Sequence, residues 1–192
     1  RNFSKDTAIA LDGRVIRVMG AWVGATDGNR GLLTFQDASA ETDAIAIAPY
    51  FGISVNSPAL EERIAGMNLD QLFAELETVS LPEARSIVAT QLAVAASYGK
   101  TLVACEGGQR LVGMGAARNN QTINALFDAA NRDARMGDLY LRYLREWRDA
   151  GGRLFLHYVN CEDFGPAGRS GALERLEQDP ATAPKYAALQ QI

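Results

Sequence analysis

The sequence predicts an α/β fold of the (β/α) barrel type, and three observations carry that expectation. Short apolar runs alternate with long helical patterns along the chain. The runs are almost continuously apolar, as strands covered on both faces are, so the alternation implies a parallel sheet. The segments that follow the runs are long, whereas several that precede them are short, among them Tyr98-Gly99-Lys100 and Gly151-Gly152. A (β/α) barrel shows that asymmetry, because its working loops sit at the C-terminal ends of its strands. Four βα units are visible, half of an eight-stranded barrel. At 192 residues one domain is the expectation, here a half-barrel over 1–192. Such a half is expected to belong to a longer barrel, completed by an N-terminal half or by a partner chain.

The elements follow in order. Phe3, Ile9 and Leu11 read as the tail of a helix, and Asp12-Gly13 as a turn before the β-branched run Arg14–Gly20. Leu32, Leu33 and Phe35 suggest a short helix, with Gly28-Asn29-Arg30-Gly31 before it as a loop. Asp43–Gly52 is the second run, stopped by Pro49, and Leu69–Val79 is a short amphipathic helix. Ser80-Leu81-Pro82-Glu83 reads as a capping box that opens a long helix ending near Gly99. Thr101–Gly108 is the third run, and Arg110–Asn120 reads as a loop. Ile123, Leu126, Phe127 and Ala130 mark a helix. Asp133 caps the next, whose core face carries Met136, Leu139, Tyr140, Tyr143, Leu144 and Trp147 and which ends near Gly151. Arg153–Asn160 is the fourth run.

Composition excludes several classes of function. Nineteen basic and 23 acidic residues are mixed along the chain, giving a net charge of -4 with no basic stripe, so no nucleic acid partner is expected. No apolar run is long enough to span a membrane. The two cysteines, Cys105 and Cys161, and the single histidine, His157, form no metal-ligand spacing. Both cysteines read as small buried residues. Gly24–Gly31 lacks the Lys-Ser/Thr of a phosphate loop, and Val112–Arg118 lacks the third glycine of a dinucleotide fingerprint. No cofactor is expected.

Chemistry is left to the strand ends. Trp22, Tyr50, Glu106, His157 and Asn160 all lie at or just past the C-terminal ends of the runs, and in a parallel barrel these ends share one rim. A carboxylate flanked by a phenol, amides and aromatics suits sugar chemistry. Glycoside hydrolysis needs two carboxyl groups, and Glu106 is the one good candidate, with Asp163 reading as a solvated loop acid. Gly107 and Gly108 leave room beside Glu106 for close approach of a ligand. Gln109 and Arg110 line the same rim, and a guanidinium beside Glu106 would favour its ionised form. His157, inside an apolar run, is either a satisfied core histidine or a substrate contact.

The phrases DAIAIAPYFG (Asp43–Gly52), LVACEGGQRL (Leu102–Leu111), Arg132–Asn160 and SGALE…PKYAAL (Ser170–Leu189) together resemble the C-terminal half of a bacterial family of glycoside-hydrolase-like TIM barrels, itself similar to clan A glycosidases. The resemblance runs from about Val15 onward. It implies that Val15–Met19 is the fifth strand and Leu154–Val159 the eighth, and that Glu106 closes the seventh as the nucleophile of a retaining glycosidase. Tyr50, near the end of the sixth strand, would then orient Glu106, and Trp22 and Asn160 would contact sugar. The acid/base carboxyl of such barrels lies on the fourth strand, outside this chain. Cys105 stands where the family pattern has an aromatic, Arg110 where it has a histidine, and Arg169-Ser170-Gly171 where it has a stacking tryptophan. The implied partner is carbohydrate, and a polysaccharide substrate would place the protein in an extracellular or periplasmic setting. The alternative is a non-catalytic glycan-binding or structural module of a larger assembly.

Overall fold

The computed structural model describes residues 15–192. Phe3, Ile9, Leu11 and the Asp12-Gly13 turn lie outside the described residues. In chain order the elements are β1 (Val18–Gly20), α1 (Thr26–Thr34), β2 (Ala44–Ile47), β3 (Phe51–Val55), α2 (Pro58–Ala65) and α3 (Leu69–Glu75). They continue with α4 (Leu81–Ser97), β4 (Thr101–Ala104), β5 (Gln109–Gly113), α5 (Gln121–Arg132), α6 (Ala134–Asp149) and α7 (Pro184–Leu189). The protein is mixed α/β, with a parallel sheet ordered β1-β2-β4 and a parallel pair β3-β5. It divides into two compact units.

The first unit holds the described residues up to Pro49, together with Ser86–Gly107 and Trp147–Leu156. Its strands run in chain order: Val18 lies opposite Ala44, and Ala44 opposite Thr101. The sheet is extended beyond β4 by a bridge from Ala104 to Phe155, with Leu156 N donating to Ala104 O at 3.0 Å. Side chains alternate along a strand, and one face carries Met19, Ile45, Ile47, Leu102, Ala104 and Phe155 into a core shared with Leu33, Val88 and Trp147. On the alternate positions of the two outermost segments, Ile16, Val18, Leu154 and Leu156 are exposed.

The second unit holds Tyr50–Arg85, Gly108–Glu146 and His157–Ile192. β3 and β5 pair in register from Phe51 opposite Gln109 to Val55 opposite Gly113. Phe51 packs against the rings of Tyr140 and Tyr143, at centroid distances of 5.5 and 4.9 Å. After Leu156 the chain stops adding to a sheet and folds on itself. Val159 to Glu162 exchange backbone hydrogen bonds with Ser170 to Leu173 around a short Gly165–Gly168 bridge. The run Arg153–Asn160, expected as a strand throughout, is therefore sheet-like only around Phe155.

Several local expectations hold. Asp133 Oδ1 accepts from Arg135 N at 2.9 Å at the start of α6. Gly99 closes α4 at φ +65°, and Gly152 N reaches back to Trp147 O at the end of α6. Others are corrected. Asp43–Gly52 is two strands rather than one, broken at Ala48-Pro49-Tyr50, where proline has no N–H to give a ladder. Arg110–Asn120 is not a loop throughout: it is strand to Gly113 and then a 3₁₀ turn. Gly28–Gly31 lies inside α1. α2, opened by Ser57 with Pro58 at its first position, was not anticipated. Ser80 caps nothing, because α3 passes into α4 through a π-helical turn over Leu76–Ser80. That wider turn accommodates Pro82, which has no N–H and would crowd an α-helical carbonyl.

Candidate functional site

Glu106 belongs to the first unit. It leaves β4 two residues after Ala104, on the edge where the C-terminal ends of β1, β2 and β4 lie. Ligands of open parallel sheets gather at that edge. The connection is anchored rather than loose: Cys105 N donates to Ile47 O at 3.0 Å. Cys105 is exposed, against the expectation of burial, and Glu106 is half-buried. Gly107 is small for a different reason from the one expected. A Cβ there would meet the Phe155 ring at 2.6 Å, so the missing side chain admits a protein aromatic, not a ligand.

Trp22 leaves the same edge after β1. Its side chain is 78% exposed, yet its backbone is clamped. Trp22 N donates to Asn29 Oδ1 at 3.0 Å, and Asn29 Nδ2 donates to Trp22 O at 2.7 Å. Asn29, fully buried, also donates to Gln91 Oε1, and Gln91 Nε2 donates to Val23 O. A large indole is thus held out in solvent on a fixed backbone.

The second unit contains a cavity of about 220 Å³ walled by Tyr50, Arg110, Tyr158, Glu162, Arg169 and Ser170. The Arg110 guanidinium lies over the Tyr50 ring, 5.8 Å from its centroid. Glu162 is fixed by one oxygen, Oε2, which accepts from Ser170 N at 2.6 Å. Tyr158 is exposed. Arg169 forms the floor and is fully buried: it donates to Asn124 Oδ1 at 2.9 Å and forms an ion pair with Asp128. Behind it the buried Lys185 donates to Asn131 Oδ1 at 2.9 Å and to Arg169 O, with its ammonium 4.6 Å from the Phe164 ring centroid. Desolvation lowers the Lys185 pKa to about 7, Arg169 pushes in the same direction, and Glu162 and Glu174 oppose it.

The remaining expected site residues divide. Gln109 is fully buried: its Nε2 donates to Arg169 O and its Oε1 accepts from Leu111 N. Its amide is committed to the scaffold, so it does not line a rim. His157 is half-buried, with Nε2 3.2 Å from Tyr140 Oη, and Tyr140 Oη in turn accepts from Gln109 N at 2.8 Å. Burial, then the Lys185 charge, pushes the imidazole pKa down to about 4. Burial raises the Tyr140 phenol. Gly108, at φ +139°, leaves the space that Tyr140 Oη fills: a Cβ would lie 2.7 Å from it. Asn160 is exposed on the loop, its backbone carbonyl bonded to Leu173 N.

Tyr50 and Arg110 therefore meet in one cavity, while Trp22 and Glu106 share one sheet edge. Sequence reasoning missed Tyr158, Glu162, Arg169 and Lys185. It weighed Asp163, which is exposed, one position from the carboxylate that lines the cavity. The available signal was the glycine-rich stretch Gly165–Gly171, which lets a loop fold tightly enough to present a neighbouring acid. Comparison with family models, curated proteins and solved structures found no match to this chain.

Proposed function

We propose that the chain forms consecutive (β/α) units of a glycoside-hydrolase-like barrel and that Glu106 is the nucleophile of a retaining glycosidase. The observation that carries this reading is the seat of Glu106, a half-buried carboxylate at the C-terminal edge of parallel strands arranged in chain order. A fixed, exposed Trp22 on the same edge supports a sugar-facing role, since an indole face stacks on the apolar face of a pyranose. The exposed Ile16, Val18, Leu154 and Leu156 on the outermost segments of that sheet support further strands as their cover. In the reaction Glu106 attacks the anomeric carbon as the aglycone oxygen leaves. A second carboxyl group, from residues beyond this chain, protonates that oxygen and then activates the water that releases the sugar. The test is kinetic and uses the full-length protein. Glu106→Gln is expected to lower kcat/KM on an aryl glycoside by about 10³-fold, the equivalent of ~4 kcal/mol. Unchanged turnover would remove Glu106 from the chemistry.

A further inference from the structure

We propose that the cavity of the second unit is a binding site for one neutral sugar ring, in which Glu162 and Arg110 read ligand hydroxyls and Tyr158 supplies a stacking face. The inference rests on the function proposed above only in taking the ligand to be a saccharide; it does not require Glu106 to be catalytic.

Two charged side chains of opposite sign reach this cavity with capacity to spare. Glu162 has Oε2 bound to Ser170 N, and its Oε1 has no hydrogen bond among the described residues. Arg110 has no carboxylate partner among the described residues and is exposed over Tyr50. The third charge on the wall, Arg169, is already satisfied by Asp128, Asn124 and the Leu111 carbonyl. A sugar hydroxyl both donates and accepts, so a ring with adjacent hydroxyls can serve a carboxylate and a guanidinium at once. A carboxylate-bearing sugar would gain at Arg110 and be repelled at Glu162, and a cationic ligand would meet the reverse. The lining thus matches a neutral polyol better than either ion. The exposed Tyr158 ring offers the apolar surface that carbohydrate sites combine with charged hydrogen-bonding groups.

The site is held rigidly enough to select. Ser170 N fixes Glu162, and the backbone pairing of Val159–Glu162 with Ser170–Leu173 fixes the segment that carries it. The buried Arg169 ties that segment down at the adjacent residue.

The experiment is isothermal titration of the full-length protein carrying Glu106→Gln, so that turnover cannot consume ligand. The neutral probes are cello-, xylo- and manno-tetraose, and the acidic ones are galacturonate and mannuronate oligomers. At least one neutral probe is expected to bind more tightly than either acidic one. Glu162→Gln, which keeps an acceptor for Ser170 N, and Tyr158→Ala are each expected to weaken that binding by about tenfold with little change in melting temperature. The proposal is overturned if no neutral probe binds at millimolar concentration, if an acidic probe binds more tightly, or if both variants bind like their parent. Failure of Glu106 as nucleophile would show instead in the aryl-glycoside assay, as turnover by Glu106→Gln equal to that of the unmodified protein, and the titrations would then be made with thio-linked oligosaccharides that cannot be cleaved.

Discussion

Lys185 and His157 are titratable groups whose burial disfavours the charged form, and each leaves a signature in stability. The Lys185 pKa falls from its ordinary 10.5 to about 7. Between those values the unfolded chain holds a proton that the folded chain has lost, so stability rises with pH across that window, by up to about 1.4 kcal/mol per pH unit. Urea unfolding between pH 7 and 9 is expected to show the rise, and Lys185→Met is expected to abolish it. For His157, shifted from 6.5 to about 4, the unfolded chain again binds more protons within the window. Its contribution is therefore lost as pH falls from about 6.5 towards 4. Asn29 makes a second residue-level prediction. Asn29→Ala strands the Trp22 carbonyl and the Gln91 amide, and is expected to cost about 1–3 kcal/mol. A melting temperature unchanged by this variant would contradict the clamp on Trp22.

At the scale of elements, Ser80 separates what local sequence dictates from what tertiary packing imposes. Its hydroxyl accepts from Gly52 N at 2.6 Å and donates to Gly52 O at 3.2 Å. As an anchor of β3 it needs both a donor and an acceptor; as a helix cap it would need only an acceptor. Ser80→Asp is therefore expected to destabilise at least as much as Ser80→Ala, by about 1–3 kcal/mol, where a cap would tolerate aspartate. The features legible in the sequence were those set by short-range chemistry: the Asp133 cap, the glycine ends of α4 and α6, and the alternation of apolar runs with helices. Partnership across long stretches of chain was not legible. β5 contains the exposed Arg110 and has no continuous apolar pattern; it is a strand because Phe51–Val55 supplies its ladder. The burial of Gln109, Arg169 and Lys185 was hidden for the same reason. Each is polar by type and buried only because distant carbonyls and amides satisfy it.

At the scale of the whole molecule, the strand-end position of Glu106 was legible, whereas the cavity walled by Tyr158 and Glu162 needed the fold of the loop beyond Leu156. The exposed Ile16, Val18, Leu154 and Leu156 give the barrel reading its own check. If further strands cover them, hydroxyl-radical footprinting of the full-length protein should label these four side chains weakly. Labelling as strong as that of open surface leucines would contradict the cover. The central claim is that Glu106 forms a covalent bond to sugar. It is tested most directly by trapping the full-length protein with an activated 2-deoxy-2-fluoro glycoside and mapping the adduct by peptide mass spectrometry. The account predicts one glycosyl adduct on the tryptic peptide Thr101–Arg110, absent from Glu106→Gln. Turnover with the adduct on another carboxylate, or glycan binding with neither turnover nor adduct, would contradict it, and the second result would mark the chain as a non-catalytic glycan-binding module.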